Sequence, residues 1–239
     1  MSLLAPRCFI FVFVPMVSKL LRDIFVFLIN TLSDYAYFLR VSISEELRLL
    51  QSSMSSFIFC YNKTMKIGTL DFEPIEACRE LVATPVIASI DKLGLKDLYA
   101  SEIDVSLSDT AAFCEAYDVG MNVSVNCVIV EAKRADRTWY AACLIVATDR
   151  IDINGVVRRA LDAKKVSFAS MDTAVQLTEM EYGGITPIGL PEDWVVLVDE
   201  KVVTMPHVVI GSGLRGAKLA VSGELLAGLP TARVIGIAK

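Results

Sequence analysis

The sequence predicts an α+β domain built on a mixed, curved β-sheet, with a barrel-like core surrounded by helices. Strand-like and helix-like stretches interleave irregularly over residues 65–239, without the βαβ rhythm of a doubly wound sheet. Two long strand patterns, 123–131 and 139–147, flank the polar connection Ala132-Lys133-Arg134-Ala135-Asp136-Arg137, of hairpin length, and read as a central antiparallel pair. All 13 glycines lie from Gly68 onward, whereas 8 of the 11 phenylalanines fall in the first 64 positions, so two kinds of sequence are joined.

Each element of the domain has a local reason. Pro74 suits the first turn of a helix carrying Cys78, Leu81 and Val82, and Thr84-Pro85 starts a second short helix. Residues 103–107 alternate like a strand, and Ser108-Asp109-Thr110 offers an N-cap to a helix carrying Ala111, Ala112, Phe113 and Ala116, which ends at Gly120. After the central pair, 153–161 reads as an amphipathic helix, 165–168 as a strand, and 171–180 as a helix capped by Ser170. A Gly/Pro loop follows, then strands at 195–198, 208–210 and 218–221, a helix capped by Ser222 through Leu226, and a last strand at 232–237.

Composition narrows the chemistry. A chain of 239 residues, 54% hydrophobic and 21% charged, folds around a core and is not disordered in bulk. The formal net charge of −5 excludes holding nucleic acid by bulk electrostatics, argues against a DNA partner, and makes any RNA contact local. The charge is +2 before Met65 and −7 from it onward. His207 is the sole histidine, which leaves neither a two-His metal site nor a His pair for proton shuttling; beside Pro206 at a strand entrance it reads as structural. Cys8, Cys60, Cys78, Cys114, Cys127 and Cys143 have no C-x-x-C spacing and read as reduced, mostly buried thiols of a cytoplasmic protein.

The first 64 residues form an apolar extension. Its runs at 8–17 and 24–29 are separated by Lys19, Arg22 and Asp23, short of a span of ~20 residues. It reads as a membrane-anchoring helical hairpin or as translated sequence upstream of the native start. The absence of glycine and the ending Tyr61-Asn62-Lys63-Thr64 favour the second, with Met65 as initiator and no membrane association for 65–239.

Two loops are candidates for chemistry. In Glu181-Tyr182-Gly183-Gly184-Ile185-Thr186-Pro187-Ile188-Gly189-Leu190-Pro191, glycines permit close backbone approach and prolines stiffen the loop, so N–H groups can hold a carbonyl oxygen or phosphate. A wide helix-to-strand turn is the alternative. Ile210-Gly211-Ser212-Gly213-Leu214-Arg215-Gly216 has the look of a weak phosphate loop, but it joins strand to strand, which argues against a dinucleotide fold; taken alone it is a tight turn with Arg215 exposed.

Together, in this order after a strand hairpin and Leu161-Asp162-Ala163-Lys164-Lys165-Val166, these loops resemble the YbaK/ProX family of aminoacyl-tRNA deacylases, which includes the editing domain of bacterial prolyl-tRNA synthetases. The resemblance spans 104–237, and Val198-Asp199 supports it. It implies a trans-acting editing hydrolase that cleaves the ester of a small misacylated amino acid from tRNA, with no metal or organic cofactor. The partners it implies are mischarged tRNA and an aminoacyl-tRNA synthetase. It further implies that N–H groups around Gly184, Thr186 and Gly189 polarise the ester carbonyl, and that Gly183, Pro187, Gly211, Ser212, Gly213 and Lys218 contribute to substrate binding.

The sequence departs from the family at two places. The lysine that the family carries before its apolar strand aligns with Asn126, which donates hydrogen bonds without a charge. Lys133 lies seven residues on, on the opposite face and about 23 Å away, and reads as a solvated hairpin charge. Lys218 falls where some members have an acidic residue. Surface exposure is its expected state, the other reading being a lysine that reaches the site from a different strand and supplies the missing cation. Arg158, Arg159, Lys164 and Lys165, around a helix C-terminus, are candidates for tRNA contact, with a solvated, dipole-favoured face as the plain alternative. With Asn126 at the lysine position, the second functional reading is a deacylase-like binding module without hydrolysis, holding an aminoacyl or nucleotide end or a synthetase partner.

Overall fold

A computed structural model describes residues 64–239, and the expectations for the preceding extension lie outside the described residues. The order is β1 (Met65–Ile67), β2 (Leu70–Pro74), two 3₁₀ turns (Ile75–Ala77, Arg79–Leu81), α1 (Thr84–Leu93), β3 (Tyr99–Glu102), a 3₁₀ turn (Val105–Leu107), α2 (Thr110–Tyr117), β4 (Val125–Arg134) and β5 (Arg137–Val146). A π-turn (Ile153–Val157) runs into α3 (Arg158–Ala160), followed by β6 (Lys165–Phe168), α4 (Met171–Thr178), β7 (Val195–Val198), α5 (Glu200–Val203), β8 (Val208–Gly211), β9 (Ala217–Val221), α6 (Gly223–Ala227) and β10 (Ala232–Val234).

Two five-stranded sheets result, ordered β1-β2-β3-β9-β8 and β10-β7-β5-β4-β6. β4 and β5 pair antiparallel without interruption from Val125↔Val146 to Arg134↔Arg137, while β5 pairs parallel with β7 and β7 with β10, so the second sheet is mixed. The sheets meet where Ser124 bridges Val209 and the Val209 N–H donates to the Val123 carbonyl at 2.8 Å, giving a curled half-barrel. On the outer edge of β4, β6 pairs only with residues from Val130 to Lys133, and the bridge to β8 falls at Ser124, just before β4 begins. The stretch between them, Val125 to Val128, is left without a strand neighbour on that side among the described residues.

Alternation sets the core. Leu70, Phe72 and Pro74 of β2 are buried while Asp71 and Glu73 are exposed. Leu144, Val198, Val208 and Leu219 meet between the sheets, fully buried. On the opposite face of the second sheet Val130, Cys143 and Leu197 pack under Val157 and Leu161. Truncating Leu144 to Ala would cost about 2–5 kcal/mol through the reduced transfer energy and the cavity left behind. Asp199, buried, accepts hydrogen bonds from the N–H groups of Lys201, Ile237 and Ala238 at 3.1, 2.8 and 3.0 Å, which caps α5 and ties down the chain end.

The α+β class and curved sheet are as expected, but several elements differ. Pro74 ends β2 instead of opening a helix, and only 3₁₀ turns follow before α1. The expected strand at 103–107 is a 3₁₀ turn, because the Asp104 carboxylate accepts the Ser106 N–H at 2.8 Å and closes a turn locally; the strand lies earlier, at Tyr99–Glu102. The central hairpin is tighter than expected: its strands extend to Arg134 and Arg137 around Ala135, whose φ is +50°. The helix over 153–161 begins as a π-turn, held by the Asp152 carboxylate on the Gly155 and Val156 N–H groups. Among the described residues no helix is long and apolar enough to cross a membrane.

Candidate functional site

The unpaired stretch of β4 opens onto a cavity of about 290 Å³ at the seam of the two sheets. Asn126 and Cys127 line it from β4. Ser108, Thr110 and Phe113 come from the start of α2, Tyr182 and Gly183 from the first glycine loop, and Gly211, Arg215 and Lys218 from the second loop and β9. Asp109 caps α2, accepting from the N–H groups of Ala111 and Ala112, so the helix begins at the cavity wall.

Lys218 corrects the expectation of surface exposure. It is only 6% exposed, its Nζ donates to the Ser108 carbonyl at 3.1 Å, and it lies 5.2 Å from the centre of the Phe113 ring. The partners holding this ammonium are thus a carbonyl and a ring face. Burial pushes its pKa below the ordinary lysine value; Cys114 and the Asp109 carboxylate act against the shift, and the Arg215 guanidinium adds to it. Asn126, half-buried, accepts from the Thr110 hydroxyl at 2.8 Å through Oδ1, which leaves its NH₂ as the group able to donate into the cavity.

The two loops are locked together. Gly184 N–H donates to the Glu181 carbonyl at 2.9 Å, Gly213 N–H to the Gly184 carbonyl at 2.7 Å, and Glu181 N–H to the Gly213 carbonyl at 2.8 Å. A Cβ on Gly184 would lie 2.5 Å from the Leu214 carbonyl oxygen, and one on Gly211 would lie 2.1 Å from the Gly184 oxygen. The glycines therefore serve close backbone approach between the loops. Gly183, at φ +86°, turns the first loop at the cavity's edge.

The structure does not bring the expected carbonyl-polarising trio together. Gly184 spends its N–H inside the loop, and Thr186 is fully buried with its N–H on the Met180 sulfur at 3.5 Å. The Thr186 Oγ1 has no hydrogen-bond partner. Pro187 and Gly189 line a different cavity of about 310 Å³, with Leu93, Leu190 and Leu229. Ser212, buried, donates to the Leu214 and Ala217 carbonyls and knits the second loop; Gly213, at φ +85°, packs against Ala83. Of the expected site residues, Asn126, Gly183, Gly211 and Lys218 share the cavity.

The basic residues lie elsewhere. Arg159, Lys164 and Lys165 are exposed, and Arg158 Nε donates to the Asn154 carbonyl at 2.8 Å. Lys165 pairs in the sheet with Lys133, which is seven residues along β4 from Asn126, about 23 Å at strand spacing. Lys133 is exposed and ion-paired with Glu131 at 2.6 Å, and uninterrupted β4–β5 pairing leaves no fold-back to bring it to Asn126. The exposed His207 lies outside the cavity lining. Cys78, Cys114, Cys127 and Cys143 are free thiols; burial pushes Cys143 up to about 12 and Cys78, with help from Glu73, up to about 11, where neither is a nucleophile at neutral pH.

Sequence reasoning missed Ser108, Thr110, Phe113, Tyr182 and Arg215 as cavity residues. The signal in reach was Ser108-Asp109-Thr110, which it read only as a cap, although a cap also sets where a helix N-terminus faces.

A curled half-barrel with a cavity at the seam of its two sheets, edged by two interlocked glycine loops, defines a class of small α+β domains. The chain shares this fold with a crystal structure described as a proposed trans-editing enzyme for prolyl tRNA synthetase, at TM-score 0.57 and 17% identity over 66% of this chain and 99% of that one. A hypothetical protein gives TM-score 0.58 at 23% identity over 65% and 99% of the two chains. No curated protein matches the sequence. The family model for the aminoacyl-tRNA editing domain matches residues 105–229, and the chain belongs to that family.

Proposed function

We propose that this protein is a trans-acting editing hydrolase that cleaves the ester between a small misacylated amino acid and tRNA. The observation that carries the reading is the buried ammonium of Lys218 in the same cavity as Asn126. Membership of the editing family supplies the substrate class. In this reading water attacks the ester carbonyl, the carbonyl π electrons move onto oxygen, and the resulting oxyanion is met by the Lys218 ammonium and the Asn126 NH₂. The intermediate then expels the ribose oxygen, which takes up the proton given up by the attacking water, leaving a ribose hydroxyl and the free amino acid. A preorganised donor in a water-poor site contributes about 10²–10³ in rate. The cavity volume of about 290 Å³ suits a small amino acid.

The test is release of labelled amino acid from a panel of mischarged tRNAs by the full chain, with Lys218→Met beside it. Hydrolysis lowered about a hundredfold in Lys218→Met supports the reading. No hydrolysis across the panel makes this a binding module on an editing scaffold, the reading favoured by the uncharged Asn126.

A further inference from the structure

The mouth of the cavity carries two side chains that ester cleavage does not use. Tyr182 is 50% exposed, and Arg215 is half-buried on the facing loop. Their backbones are fixed with respect to each other. The Glu181 carboxylate accepts the Arg215 N–H at 2.6 Å, the Glu181 N–H donates to Gly213, and Gly183 next to Tyr182 turns at φ +86° against Ser108. No carboxylate pairs with the Arg215 guanidinium among the described residues. Arg215 is thus the cation at this opening, in a domain whose sequence from Met65 onward is acidic overall.

From this juxtaposition we infer that the mouth is a nucleotide subsite, where the Tyr182 ring stacks on the terminal base of the RNA 3′ end and Arg215 pairs with the adjoining phosphodiester. The inference rests on the proposed function for its substrate, since the esterified ribose must enter the cavity with its base and phosphate outside. An aromatic face accepts any base by stacking, and a guanidinium matches two phosphate oxygens with its planar fork. Affinity for the 3′ end then comes from the lip, while the cavity at Asn126 and Lys218 meets the amino-acid end. The arrangement also reconciles an acidic protein with an RNA substrate, because the favourable charge is local to the opening.

The experiment uses the full chain with two probes: a fluorescently labelled, uncharged CCA trinucleotide for binding, and the ethyl ester of a small amino acid for hydrolysis without a nucleotide. Tyr182→Ala and Arg215→Ala should each weaken trinucleotide binding about tenfold or more, with Tyr182→Phe near wild type and Arg215→Lys intermediate. Ethyl-ester hydrolysis should stay unchanged in the two Tyr182 variants, and the unfolding midpoint in all four. Trinucleotide binding that is absent, or indifferent to both alanine variants, overturns the subsite, even if the ethyl ester is cleaved. Binding that depends on Tyr182 and Arg215 without cleavage of any ester upholds the subsite and overturns the hydrolase reading.

Discussion

Lys218 of β9 and Asn126 of β4 belong to different sheets, yet line one cavity, because the half-barrel closes at the Ser124–Val209 bridge beside them. An uncharged amide on one strand thereby shares a cavity with a buried lysine on another. The family resemblance places a lysine at the Asn126 position; here a cation enters from across the seam.

Removing that cation should separate activity from stability. Lys218→Met is expected to lower ester hydrolysis about a hundredfold. Its unfolding midpoint should be unchanged or higher, because an ammonium held by a carbonyl and a ring face is costly to bury. Urea unfolding beside single-turnover hydrolysis checks both.

The same burial predicts a pH signature. The Lys218 pKa is lowered from 10.5 by burial, so between the lowered folded value and the ordinary unfolded one the unfolded chain binds more protons. Stability from this group therefore rises with pH across that window, the reverse of a lysine in an ion pair. Enzymatic hydrolysis, corrected for background, should fall as pH climbs through the folded value. Lys218→Met should abolish the Lys218 contributions to both trends.

Thr110 is a positioning residue. Its hydroxyl donates to Asn126 Oδ1 at 2.8 Å, which fixes the amide and leaves the NH₂ as its donor. Thr110→Val should reduce kcat with little change in KM, and Thr110→Ser should restore it. Equal effects of both variants on kcat would remove this role.

Gly184→Ala should fail through the fold. Its Cβ would sit 2.5 Å from the Leu214 oxygen, so the interlocked loops must part. The expected cost is about 1–3 kcal/mol in urea unfolding, together with loss of trinucleotide binding at the Tyr182–Arg215 lip.

The exposed cluster Arg159, Lys164 and Lys165 bears on tRNA beyond its 3′ end. If it meets phosphates, Lys164→Glu with Lys165→Glu should weaken tRNA binding and flatten its salt dependence, by a slope of about 0.9 for each duplex phosphate no longer neutralised. The CCA trinucleotide should bind as before. Unchanged tRNA affinity would leave these residues a solvated face.

What was legible in the sequence follows the reach of each signal. Alternation and caps act within a few residues, so β6, β7 and the Ser170 and Ser222 caps stand where the pattern puts them. The Ser106–Asp104 hydrogen bond defeats alternation at 103–107 because a carboxylate competes for the backbone. Gly183 and Gly211 were legible as a loop pair at the cavity. That Gly184 would spend its N–H on Glu181 was not, since glycine spacing is silent on which donors remain free. Lys218 lies in an otherwise apolar strand, and its burial depends on Ser108 and Phe113, distant in sequence and adjacent only after the sheet curls.

The most direct test of the central claim moves the charge across the seam. Deacylation of mischarged tRNA should fall about a hundredfold in Lys218→Met and recover, at least in part, when Asn126→Lys is added to it, because the cavity needs one ammonium and either strand can supply it. Wild-type rates in Lys218→Met, or no recovery in a folded double variant, would contradict the account.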